Sequence, residues 1–225
     1  MAAPDDPWLR AAWAVVGPAL PPPPASVLDI GCGKLGGFVP TLRAHGYDAV
    51  GIDPQAPEGP DYRQAPFEDA DVPGPVDAIV ASASLHHVAD LDDVLDRVAR
   101  ALRPGGTLVV LEWAWERFDA ATAAWCFARL PPETEEPHWL HHFRERWLQS
   151  GEDWDTFFPA TMADHGLHRG ERVVTALEDR FEADIVETGP FVFPDLDGVS
   201  EADERAAIDG GEIQATGIRY VSSAR

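Results

Sequence analysis

Apolar residues recur along this chain in two alternating rhythms as far as residue 112, and in a single rhythm for a long stretch beyond it. Short continuous apolar runs occupy Val27 to Ile30, Asp48 to Ile52, Val76 to Ala81 and Thr107 to Glu112. Their length, and the glycines, prolines and acids around them, are those of strands buried on both faces. Asp61 to Gln64 reads as a short edge strand between the second and third of these. Leu91, Val94, Leu95, Val98 and Leu102 return at helical spacing, which predicts an amphipathic helix over 90–102, stopped by Arg103-Pro104-Gly105-Gly106. Trp8, Leu9, Trp13 and Val16 predict a short helix over 7–20, and the prolines from Pro21 to Pro24 form a stiff spacer before the first strand. The helix after that strand should end near His45-Gly46. Strands and helices in alternation imply an α/β fold, with a mostly parallel sheet covered on both faces.

The alternation breaks after Glu112. Residues 113–179 read as helical and hold six of the eight tryptophans: Trp113, Trp115, Trp125, Trp139, Trp147 and Trp154. Pro131-Pro132 and Ser150-Gly151 divide this stretch into two or three helices, a cap inserted after the fifth strand. Its tryptophans either line an apolar pocket or glue the cap to its domain. Residues 180–193 read as a strand, with Phe191-Val192-Phe193 at or just beyond its end. A polar helix follows near 200–209, and Ile213 to Val221 reads as a last strand closing the sheet edge.

The chemistry concentrates in Val27-Leu-Asp-Ile-Gly-Cys-Gly-Lys-Leu-Gly-Gly37, followed by Asp53 at the end of the next apolar run. A strand entering a glycine turn and then a helix brings backbone close to a nucleotide, and an acid about 20 residues on is placed for ribose hydroxyls. Gly31, Gly33 and Gly36 fit the G-x-G-x-x-G spacing of dinucleotide enzymes. Asp29, two residues before the first glycine, is poorly placed for a pyrophosphate on a helix N-terminus. It suits a cationic ligand instead.

Composition narrows the partners. The 225 residues carry a formal charge of −22, and Lys34 is the only lysine. So acidic a surface repels phosphate backbones and anionic lipid, which speaks against nucleic acid and membrane. Cys32 lies in the glycine turn and Cys126 far along the chain, a usage that fits a reducing cytoplasm. The first residues carry neither a basic nor an apolar leader region, and no apolar run approaches the length of a membrane span. The length fits one domain, 1–225, with residues 1–24 as N-terminal helix and linker.

Four segments in order resemble the motifs of class I S-adenosylmethionine (SAM)-dependent methyltransferases of the small-molecule type: Val27 to Gly33, Gly51-Ile-Asp53, Val76 to Val88, and Ala101 to Glu112. The resemblance implies a Rossmann-like, doubly wound, seven-stranded sheet with an antiparallel last strand, and SAM as cofactor. It implies cofactor contacts at Asp29, Gly31, Cys32, Gly33, Lys34, Gly37, Asp53, Pro54, Phe67, Glu68 and Ser82. Asp29 and the Gly31 backbone would hold the methionine portion, and Asp53 the ribose. The chain departs from the pattern in a glycine turn lengthened by one residue at Lys34-Leu35. It departs again at Pro66, where many relatives have an acid facing the adenine.

Methyl transfer from a sulfonium needs alignment and exclusion of water, and a base only where the acceptor is protonated. His86 and His87 follow the fourth strand, where ligands of open α/β sheets lie, and Glu112 ends the fifth. These three are the catalytic candidates, with His87 alternatively bracing the next helix. The chain contains no asparagine and lacks the Asn/Asp-Pro-Pro-Tyr motif of enzymes acting on DNA bases. His138, His141 and His142 have a helical spacing that zinc sites use, but read better as a wet face or pocket lining, and no metal is expected. His165 and His168 are weaker candidates for reaching substrate. The expectation is O- or N-methylation of a small organic molecule, aromatic if the tryptophans line its pocket, by a monomer or homodimer. The alternatives are a SAM-binding protein without methyl transfer, acting as a pericyclase-like catalyst or binding module, and an NAD-dependent oxidoreductase.

Overall fold

The computed structural model describes residues 6–72, 74–133 and 138–223; residues 1–5 of the N-terminal segment and 134–137 of the cap lie outside them. Seven strands form one sheet: β1 (Ser26–Ile30), β2 (Asp48–Ile52), β3 (Tyr62–Arg63), β4 (Val76–Ser82), β5 (Leu102–Trp113), β6 (Glu182–Gly189) and β7 (Gly217–Ser223). Their spatial order is β3-β2-β1-β4-β5-β7-β6. The pairs from β3 to β5 are parallel, and β7 runs antiparallel to both β5 and β6. The Rossmann-like, mostly parallel seven-stranded sheet is therefore borne out, last strand included. The chain leaves β1 toward β2 on one side and returns to β4 on the other, so the strand order reverses between β1 and β4. A crevice opens outside the strand ends at such a switch point.

Helices cover both faces. On one, α3 (Leu91–Ala101) and α7 (Gly170–Glu178) bury Val94, Leu95, Val98, Val173 and Leu177 against Leu28, Ile79 and Leu108. Asp90 caps α3 by accepting from the Asp93 amide, as an N-cap aspartate does. On the other face, α1 (Pro7–Ala19) and α2 (Val39–Ala44) pack Val16, Phe38 and Leu42 on Val27, Val80 and Val109. The strand expected from Thr107 begins at Leu102 instead, and its register with β4 jumps between Val76 and Ala78. The cause is local: Asp77 binds Arg103 and also accepts from the Ser26 amide and hydroxyl, drawing the Pro-Gly-Gly segment onto the sheet.

A third cluster sits over the strand ends. It is built from α4 (Ala120–Phe127), α5 (Trp139–Ser150) and α6 (Trp154–Asp164), with the turn holding Trp115 and the loop 191–199. Trp113, Trp115 and Trp154 are buried in it, with Trp125, Trp139 and Trp147 packed around them. Ring pairs at 4.7–6.3 Å, mostly edge to face, give the cluster its geometry. The six cap tryptophans therefore act as glue. α8 (Glu201–Asp209) lies beyond and carries a Ser200–Asp203 capping box. No helix among the described residues is long and apolar enough to cross a membrane.

Candidate functional site

The site begins where β1 ends. Ile30 runs into a turn whose glycines 31, 33, 36 and 37 all have positive φ. Two of them are irreplaceable for steric reasons. A Cβ at Gly31 would collide with the Ser84 side chain, whose hydroxyl donates to the Ile30 carbonyl at 3.0 Å and ties β1 to the loop after β4. A Cβ at Gly37 would overlap Asp29 Oδ2 and come within 2.9 Å of Cys32 Cα. Asp29 occupies that space because Oδ2 accepts the Phe38 amide at 2.6 Å. The close approach at Gly37 is thus made by the protein's own carboxylate, and the turn is built around Asp29.

That carboxylate is 1% exposed. Burial pushes its pKa up to about 7, against the pull of the Phe38 N–H, and the negative charge of Asp53 adds to the rise. Burial and the same two carboxylates push the Cys32 thiol up to about 12, which makes it an inert wall rather than a nucleophile. Asp53 ends β2, with Oδ1 accepting the Gln55 amide at 2.6 Å.

Two cavities flank the turn and share Gly31, Gly33 and Ala83. The larger, of ≈ 560 Å³, is lined by Asp53, Pro54, Pro66, Phe67, Glu68 and His87, among others. The smaller, of ≈ 290 Å³, is lined by Asp29, Cys32, Lys34, Gly37, Ser82 and, from the N-terminal helix, Trp8 and Leu9. All eleven cofactor-contact residues expected from the resemblance lie on these walls. Asp29 thus lines one cavity and Asp53 the other, with the backbone of Gly31 and Gly33 shared between them.

The three catalytic candidates gather beside the larger cavity. His86 and His87 form a single turn after β4, over Leu85–His87. His86 Nδ1 lies 2.5 Å from Glu112 Oε1, and the other carboxylate oxygen accepts the His86 amide at 3.2 Å. Glu112 Oε1 also accepts the Trp113 amide at 2.8 Å, and both side chains of the pair are buried. A carboxylate facing Nδ1 fixes the tautomer with its proton there, so Nε2 carries the lone pair. The His87 ring lies tilted against that of His86, with centroids 4.0 Å apart, and solvent reaches it from the cavity. Burial and the neighbouring imidazole of His86 lower its pKa to about 4, so His87 is neutral at pH 7.

The other histidines have separate duties. His168 donates its amide to the His86 carbonyl at 3.0 Å, and its Nε2 bonds Val88 O, strapping the cap to the β4 end. His138 Nε2 bonds Asp195, whereas His141 Nε2 bonds the Pro131 carbonyl.

Sequence reasoning passed over several contributors. Trp8 and Leu9 looked like core positions of a short helix, and most of the lid was expected from 113–179. Asp6 caps that helix through the Trp8 and Leu9 amides and so delivers Trp8 to the cleft rim. Glu204 looked like one acid among many on a polar helix. It is fully buried, and accepts the Phe191, Val192 and Phe193 amides at 2.7–3.3 Å. It thereby holds Phe191 against Trp8 and Trp113. Composition carried no signal for either.

A doubly wound sheet whose first two strands end in acids, divided by an open glycine turn, defines a nucleotide-binding α/β protein. More narrowly, the chain belongs to the methyltransferase-domain family, whose model matches residues 8–179. It is 31% identical over 161 residues to the ubiquinone biosynthesis O-methyltransferase of Nitrobacter winogradskyi, covering 64% of this chain and 55% of that one. The chain thus spans little more than half the length of that relative. Among solved structures it is similar in fold to an S-adenosylmethionine-dependent methyltransferase from Mesorhizobium loti, with a TM-score of 0.58 and 20% identity, over 95% of this chain and 97% of that one. The N-methyltransferase NodS from Bradyrhizobium japonicum, solved with S-adenosylhomocysteine, superposes with a TM-score of 0.54 and 16% identity, over 99% and 93% of the two chains.

Proposed function

We propose that this chain is a SAM-dependent methyltransferase acting on a hydroxyl or amine of a small organic molecule. The observation that carries the reading is the placement of Asp29 and Asp53 in two adjoining cavities on either side of the glycine turn. SAM supplies a methyl group already activated on a sulfonium. Its cationic amino-acid end matches the buried Asp29 carboxylate, whose burial makes a positive partner valuable. Asp53 takes the ribose hydroxyls as a charged acceptor, and Pro54, Pro66 and Phe67 wall the base. A cleft of this size is of the order that encloses a small ligand. A pyrophosphate would instead face two carboxylates here, which disfavours an NAD-dependent oxidoreductase.

At the acceptor end, Glu112 holds His86 with Nε2 free to take a proton and balances the charge that forms, as the carboxylate of a hydrolase triad does. His87, neutral at pH 7, forms the wall between that pair and the cofactor cavity. An acceptor reaches His86 by entering between the cap and the strand ends, where the aromatic cluster keeps out water. Incubation of the pure protein with methyl-labelled SAM and a panel of phenols and amines tests the reading. Label transfer to an acceptor, with S-adenosylhomocysteine released, supports it. Product formed with SAM left intact would instead point to a pericyclase-like catalyst.

A further inference from the structure

Most of the cap tryptophans place the indole N–H on an acceptor. Trp115 donates to the His168 carbonyl at 2.8 Å, Trp139 to Asp195 Oδ2 at 3.0 Å, Trp147 to the Glu152 carbonyl at 2.9 Å and Trp154 to the Phe118 carbonyl at 2.8 Å. Trp113 is different. It is 7% exposed, and its buried Nε1 has no hydrogen-bond partner among the described residues. A buried donor left unmade costs more than a hydrogen bond formed returns, and native proteins seldom carry one without a use.

This donor stands beside the histidine that takes the proton. Trp113 follows Glu112 in the chain, and its ring meets that of His86 edge to face, with centroids 6.2 Å apart. Phe118, Trp139, Phe158 and Phe191 surround it at 5.2–6.3 Å. A water would need several polar partners there, and of these neighbours only His86 has one to spare. An anion would have to shed its hydration next to the Glu112 carboxylate. A neutral oxygen, brought in on an otherwise apolar body, suits the place. We propose that Trp113 Nε1 donates to a second oxygen of the methyl acceptor. The substrate class is then a hydroxylated aromatic compound with an ether or carbonyl oxygen one or two ring positions from the hydroxyl. The inference rests on the methyltransferase reading, with the hydroxyl facing His86. The neighbouring oxygen on Trp113 fixes the orientation of the ring and so decides which position is methylated.

The test uses phenols matched in shape, in which an oxygen replaces a methylene: ortho-methoxyphenol against ortho-ethylphenol, and the corresponding meta pair. With methyl-labelled SAM, the native protein should favour the methoxy member of at least one pair by roughly tenfold in kcat/KM, the scale of one hydrogen bond to a donor with no other partner. In Trp113→Phe that ratio should fall to within about twofold of unity on the same argument, and a ratio cancels any general loss from altered packing. A second reading needs no variant. In proton NMR of native protein saturated with S-adenosylhomocysteine, the Trp113 indole proton should move downfield with the favoured methoxyphenol and not with its ethyl partner. Equal rates within both pairs, a preference that survives Trp113→Phe, or an indole proton that answers both partners alike overturns the inference. Label reaching none of the four phenols overturns it too, and leaves the cofactor site standing. Native protein that binds no S-adenosylhomocysteine overturns the SAM reading and this inference together.

Discussion

Asp29→Asn replaces a buried carboxylate by a neutral group of the same shape, whose carbonyl still accepts the Phe38 amide. The pKa of Asp29 rises from 3.8 in the unfolded chain to about 7 in the fold. A raised carboxyl contributes stability that is full below the unfolded pKa and is lost as pH climbs through the folded one. Three pH units at 1.36 kcal/mol each amount to about 4 kcal/mol of strain carried by the ionised group at pH 8. The asparagine variant carries none of it. It should therefore be the more stable protein at pH 8, by up to about 4 kcal/mol, or roughly 8–16 °C in Tm for a chain of this size. At pH 5 the native carboxyl is protonated in the fold, and the gap should narrow by about 3 kcal/mol. The same variant should lose most of its affinity for S-adenosylhomocysteine, because the ammonium has lost its partner. Thermal melts of both proteins without ligand, at pH 8 and pH 5, read the difference. A variant no more stable than the native protein at pH 8, or a gap that does not change with pH, would refute the claim that Asp29 is held charged at the expense of the fold.

Three further outcomes follow from the geometry. Glu112→Gln removes the charge opposite His86, and should lower kcat with hydroxyl acceptors by about 10²-fold while leaving cofactor affinity within a factor of about two; acceptors that are already ionised should be much less affected, and a pH–rate profile checks this. His86→Ala should resemble Glu112→Gln, whereas His87→Ala should alter KM more than kcat; the reverse order would move the proton to His87. Glu204→Gln leaves amide donors facing amide donors behind Phe191, and should cost about 2 kcal/mol in chemical denaturation with the cofactor site intact.

The sheet was legible because each of its inner strands is a short apolar run, and because Leu91 through Leu102 repeats at helical spacing. The boundary at β5 was not, since the pull of Asp77 on Arg103 joins residues 26 apart that no local pattern connects. The residues lining the two cavities could be named because one contiguous turn and one strand end supply most of them. The grip of the turn on itself was hidden: the overlap of Gly37 with Asp29 exists only once the chain has closed. The His86–Glu112 pair was present in the sequence only as two separate candidates, because their contact depends on β4 and β5 being neighbours. Trp8 and Glu204 gave no local sign at all. A helix face reads the same whether it meets a core or a cleft, and one buried acid among 39 looks like surface.

The central claim is that the acids flanking the glycine turn hold SAM. Calorimetric titration of S-adenosylhomocysteine into the purified protein at pH 8, repeated with Asp53→Ala and with NAD as competitor, tests it most directly. The account predicts saturable binding at one site per chain, a loss of roughly 10²-fold in the variant on losing a two-hydroxyl charged contact, and no displacement by NAD. Absence of binding, an affinity unchanged by Asp53→Ala, or tighter binding of NAD would contradict it.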